Sequence, residues 1–109
     1  MALEITFLGH SGFLLSDGAH RLVIDPFLTG NPVAVHKPDE IKCTHLAITH
    51  GHADHVGDSA RIARANNATL IAAFEIAQFM NEQGVEHTEG GNPGGTIRTA
   101  FGAIHFTLA

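Results

Sequence analysis

Apolar and polar residues alternate from Leu3 to Phe7, as Leu-Glu-Ile-Thr-Phe, and Leu8 extends the run. A period of two is the mark of a strand with one buried face. Gly9-His10-Ser11-Gly12 interrupts it, and Phe13-Leu14-Leu15 and Arg21-Leu22-Val23-Ile24 follow as two further strands. Asp17-Gly18 between those two is a hairpin signal, so the chain is predicted to open as an antiparallel meander. Leu28 to Glu40 shows no period and is punctuated by Gly30, Pro32 and Pro38, which predicts a loop. Thr44 to Ile48 reads as a buried strand. Ser59 to Ala65 reads as a helix with Asp58 or Ser59 as its cap, stopped by Asn66-Asn67. Ala68 to Ala73 returns as a strand, and the order strand, helix, strand predicts a parallel βαβ unit with a right-handed crossover. A second helix is predicted over Glu75 to Gln83, with Ile76 and Met80 on one face, Phe79 and Met80 in the core, and Gly84 as its stop. Val85 to Thr88 reads as a short strand, Gly90 to Gly95 as a turn, and Thr96–Ala100 and Ala103–Leu108 as closing strands. The pattern is that of an α/β chain with a mixed sheet, expected to form a single domain over residues 1–109.

Composition changes this picture only at its edges. A hydrophobic content of 44% supports a globular core, and a net charge of −5 without a basic run argues against a nucleic-acid partner. No stretch approaches the roughly 20 apolar residues of a membrane span. The first residues lack the basic-then-apolar layout of a secretory signal, and the only cysteine, Cys43, permits no internal disulfide. A reducing, cytoplasmic setting is therefore expected. The glycine-rich stretch at 90–95 is no phosphate loop, because no Lys-Ser/Thr pair and no helix follow it.

Chemistry concentrates in Thr49-His50-Gly51-His52-Ala53-Asp54-His55, where the predicted strand ends and the helix has yet to begin. Three imidazoles and a carboxylate within six residues point to a metal centre. In extended backbone, residues two apart point the same way, so His50 and His52 are expected to share one ion. Asp54 and His55 are then placed to meet a second ion beside the first. Imidazole and carboxylate donors without a nearby thiolate suit Zn, with Mn or Fe as alternatives. His10, flanked by glycines, either lines the same cleft or serves as a turn residue bonded to backbone. Asp25 ends an apolar strand and needs a partner, either the loop that follows it or a histidine of the cluster. His87 and His105 are expected to be ordinary strand histidines, and Cys43 a small packing residue.

The H-x-H-x-D-H pattern at 50–55 resembles that of the metallo-β-lactamase superfamily. Ile5 to Phe13, with Gly9-His10-Ser11-Gly12, and Val23 to Pro32, with Asp25-Pro26-Phe27-Leu28-Thr29-Gly30-Asn31-Pro32, resemble its metal-dependent hydrolase branch, to which ascorbate-6-phosphate-type lactonases are related. The resemblance implies half of an αββα sandwich, a mixed sheet with helices on one face. It implies metal ligation by His50, His52, Asp54 and His55, with Asp25 as the acceptor that orients a ligating histidine. It also implies catalytic roles for Asp54 and His10. The implied reaction is attack by metal-activated hydroxide on a small ester, lactone or phosphorylated metabolite. Family domains of this kind are about twice as long, and a further histidine completing the first site is expected beyond a strand such as Ile104–Leu108. The site is thus expected to need a complementary C-terminal half or a second copy of the chain, self-association being the favoured form. The competing expectation is a truncated metal-binding module that self-associates without turnover; an assembly subunit with vestigial histidines ranks below both.

Overall fold

The computed structural model describes residues 2–109. Among them, one sheet has six strands in sequence order: β1 (Glu4–Gly9), β2 (Gly12–Ser16), β3 (Arg21–Ile24), β4 (His45–Ala47), β5 (Thr69–Ala73) and β6 (His87–Gly91). The first three strands pair antiparallel, and β3 to β6 pair in parallel. A separate antiparallel hairpin joins β7 (Thr96–Thr99) to β8 (Gly102–His105). The described residues also form three α-helices, α1 (Ala53–Val56), α2 (Ser59–Asn66) and α3 (Phe74–Glu82), and a short 3-10 turn at Pro38–Glu40. Among the described residues, no helix is long and apolar enough to cross a membrane.

Strand register explains the two faces. Leu14, Val23, Leu46 and Leu70 are successive cross-strand partners, so their side chains share one face. That face is the core, covered by Ile62 and Ala63 of α2 and Met80 of α3. Burying such side chains is worth about 1.5–3 kcal/mol each, which is what holds two short helices against the sheet. The opposite face carries Ile24, Ala47 and Ile71, also in register. Residues Ile104 to Thr107 lie over it, leaving a cavity of about 280 Å3 between the layers. Farther along the same face the cover ends: Leu3, Ile5 and Phe7 are 60%, 63% and 57% exposed. The mixed sheet with its helices on one face matches the expected architecture.

Several boundaries differ from the sequence reading. Val85 is buried but precedes β6, and Gly90-Gly91 belong to that strand rather than to the turn after it. A β-carbon on Gly90 would lie 2.9 Å from Phe74 Cα, and one on Gly91 would lie 2.7 Å from the Phe106 ring. Glycine is needed there for close approach, not for bending. Phe79 is 53% exposed rather than core, because Ala77 and Met80 take the inward positions of α3. The β2–β3 connection spans Asp17 to His20, with Asp17 Oδ1 accepting from the Ala19 and His20 amides. Those bonds hold the Asp17 carboxyl below its usual range. Cys43 packs in the core, and burial pushes its thiol up to about 11.

Candidate metal centre

The loops at the carboxyl ends of β3 and β4 and the turn after β1 converge on one edge of the sheet, the position where open α/β sheets place ligands. His10 sits in the β1–β2 turn with φ +58°, and Asp25 follows β3 with φ +47°. Histidine and aspartate are among the few residue types, glycine apart, that tolerate this left-handed region. His50 follows β4, and Asp54 and His55 lie in the single turn of α1, a separate element ahead of α2.

Asp25 is the hub. It is 2% exposed, and every acceptor contact of its side chain points toward the cluster. Oδ1 accepts from the Thr49 amide at 2.8 Å. Oδ2 accepts from Thr49 Oγ at 2.5 Å and faces His55 Nδ1 at 3.0 Å. A carboxylate can only accept, so His55 Nδ1 carries the proton and Nε2 keeps a free lone pair. Of the two partners open to Asp25 from sequence, its side chain takes the histidine. Its backbone carbonyl serves the loop, accepting from the Phe27 amide at 2.8 Å.

The loop after Asp25 is held from below. Gly57 has φ +45°, and a β-carbon there would lie 2.5 Å from Phe27 Cα. Asp58 does not cap α2 with its side chain. Its carboxylate instead accepts from the Leu28 and Thr29 amides at 3.2 and 2.8 Å and from Thr29 Oγ at 2.9 Å. Asn31 braces the next turn, donating to the Phe27 carbonyl and accepting from the Val33 amide. Phe27 in turn meets the His10 ring edge-to-face, with centroids 5.5 Å apart.

Two groups of donors result. His10, Asp54 and His55 form one, with His10 Nε2 3.3 Å from Asp54 Oδ2 and His55 Nε2 3.8 Å from Asp54 Oδ1. Asp25, His50 and His55 form the other, with the His50 and His55 rings 4.0 Å apart. The second is better described as two imidazoles plus their orienting carboxylate, since both Asp25 oxygens are already engaged. His52 lies beside His50, with ring centroids 4.7 Å apart, but outside both groups. Asp54 and His55 thus stand together, and His55 also stands beside His50. The donors fit a divalent ion such as Zn, Mn or Fe, being borderline and hard ligands with one histidine already fixed by an outer acceptor. The only thiol, Cys43, is buried and held protonated, so it supplies no thiolate.

Sequence reasoning alone did not reach the His10–Asp54 contact, Asp58 as a loop anchor, or Thr49. The first two join residues 44 and about 30 positions apart. Thr49 carried a signal in its place directly before His50.

A mixed α/β sheet with an imidazole–carboxylate cluster at its carboxyl edge defines a metal-binding class of fold. Residues 5–104 match the model of the metallo-beta-lactamase superfamily, and the chain belongs to that superfamily. It is 48% identical over 106 residues to a "UPF0173 metal-dependent hydrolase" of Archaeoglobus fulgidus, covering 97% of this chain and 44% of that protein. A relative of the same description from Heliobacterium modesticaldum is 42% identical, again with 44% of its length covered. Among solved structures, a metallo hydrolase from Ignicoccus hospitalis superimposes with a TM-score of 0.78 at 30% identity, covering 88% of this chain and 42% of that one. The chain thus spans about half the length of the relatives it matches.

Proposed function

We propose that this chain forms the metal-binding half of a metal-dependent hydrolase acting on a small ester, lactone or phosphorylated metabolite. One observation carries the reading: His55 is pinned through Nδ1 by a buried carboxylate while its Nε2 faces Asp54 beside His10 and His50. An imidazole aimed in this way is built to ligate. His50, His52, Asp54 and His55 would hold the ions, up to two, with Zn favoured. The chemistry a divalent ion supplies is Lewis-acid activation of water and of a carbonyl or phosphoryl oxygen. Asp54 would orient the attacking water or accept its proton, and His10, 3.3 Å from Asp54, would polarise the substrate or assist the leaving group. The description of its relatives as metal-dependent hydrolases supports this class of reaction.

A second reading, metal binding without turnover, is favoured by a specific feature. With both Asp25 oxygens engaged, the described residues offer one group of three donors, His10, Asp54 and His55, and leave His50 with His52 short of a third ligand. A catalytic zinc normally has three protein ligands plus water. The missing donors are proposed to come from a second copy of the chain or a complementary half, packed on the exposed face of β1 and β2. Metal analysis of purified protein together with hydrolysis assays on generic esters, lactones and phosphodiesters tests both readings. Zinc uptake that His52→Ala and His55→Ala reduce sharply and His87→Ala does not is the expected outcome. Absence of metal uptake overturns both readings, and uptake without hydrolysis selects the module.

A further inference from the structure

We infer that Thr49 is a positioning residue that decides which nitrogen of His50 faces the cluster; the metal-binding consequence rests on the reading above, but the proton placement does not. A hydroxyl has one hydrogen and two lone pairs, whereas a carboxylate only accepts. Thr49 Oγ lies 2.5 Å from Asp25 Oδ2, the separation of an O–H bonded to a charged oxygen, so its hydrogen goes to Asp25. The same Oγ lies 2.9 Å from His50 Nδ1. With its hydrogen committed, Oγ meets that nitrogen as an acceptor. Nδ1 of His50 therefore bears the proton, and Nε2 presents its lone pair.

His55 arrives at the same tautomer by the shorter route, its Nδ1 directly against Asp25 Oδ2 at 3.0 Å. One buried carboxylate thus sets two imidazoles alike, one in direct contact and one through a hydroxyl. The rings so set stand 4.0 Å apart. The backbone of Thr49 is tied separately, its amide donating to Asp25 Oδ1 at 2.8 Å. Removing the hydroxyl alone leaves that anchor in place. The side chain is exposed, so its replacement opens no cavity in the core.

The test compares Thr49→Val, which deletes the hydroxyl at constant shape, with Thr49→Ser, which restores it. Nitrogen–proton correlation spectra of the imidazole rings in metal-free protein, at about pH 8 where free histidines are neutral, read the tautomers directly. The wild type is expected to show His50 protonated at Nδ1, Thr49→Val to shift it toward the mixture of a free imidazole, and Thr49→Ser to return the wild-type pattern. Zinc affinity, measured by chelator competition, is expected to fall about 10-fold or more in Thr49→Val and to recover in Thr49→Ser. Wild-type His50 protonated at Nε2, or a Thr49→Val spectrum and zinc affinity identical to wild type, overturns the inference. If the wild type takes up no zinc but His50 shows the expected tautomer and loses it in Thr49→Val, Thr49's role stands and the metal-centre reading is what fails. Should Thr49→Val not fold, the wild-type and Thr49→Ser spectra decide.

Discussion

Asp25 has to satisfy a backbone condition and a chemical one at the same position. Its φ of +47° admits few residue types, and its two oxygens accept three bonds that reach into the cluster. The chemistry of single residues was legible in the sequence where it was local. Three imidazoles within six positions can be read from spacing, because no fold is needed to bring them near one another. The grouping in space was not legible, because it depends on His10 and Asp25, which lie on other turns. His45 shows how a residue outside the cluster couples to pH. Its ring meets Phe101 edge-to-face at 4.8 Å, and its Nδ1 lies 2.8 Å from Thr44 Oγ. Burial holds its pKa below the ordinary histidine value, His20 adds to this, and Glu89 opposes it. The fold therefore prefers neutral His45. Its contribution to stability is complete above the ordinary value of about 6.5 and is lost as pH falls through that value toward the lower folded one. The urea midpoint is expected to decline on acidification more in the wild type than in His45→Gln; equal decline in both would clear His45 of the effect.

At the level of elements, the site depends on how tightly loops press against helices. Gly57 and Asp58 join α1 to α2 and carry the loop Pro26–Thr29 on top of them. Gly57→Ala places a methyl 2.5 Å from Phe27 Cα and 2.6 Å from the Pro26 carbonyl, both backbone atoms that cannot rotate away. Forcing that methyl in, at a positive φ, is expected to cost about 2 kcal/mol or more in urea unfolding. It should also weaken metal uptake, since the displaced loop begins at Asp25. A Gly57→Ala protein of unchanged stability would show that the loop is not pressed on this junction. The same principle explains which elements the sequence concealed. Period-two alternation marks β1 clearly and a short apolar run marks β5, but Gly90-Gly91 reads as a bend because the reason for those glycines, the nearness of Phe74 and Phe106, is tertiary. The exposed Phe79 misleads in the opposite way: its neighbours point inward, but helix geometry turns it out.

For the whole molecule, the asymmetry between the faces of the sheet matters most. One face is sealed by α2 and α3, while the other is covered near β4 and β5 and bare at β1 and β2. A stripe of Leu3, Ile5, Phe7 and Phe13, the two phenylalanine rings 5.3 Å apart, is the kind of patch that marks a contact surface. If a second copy covers it, light scattering of the chain is expected to give a dimer mass, and Phe7→Glu to shift it toward the monomer. A monomeric wild type would turn the proposal toward a complementary half. The register that lines up these apolar residues was implicit in the alternation from Leu3 to Phe7, but what lies over them is not encoded in a local pattern.

The excursion between β3 and β4 has a consequence of another kind. Its crest at Val35 is 84% exposed, and His10 and Asp25 lie before it, while His50 to His55 lie after it. The two sets of donors are therefore joined through space by the β3–β4 ladder and the contacts of Asp25, not by the peptide thread between them. A protease nick at that crest would turn one polypeptide into two interlocked pieces, each carrying part of the cluster.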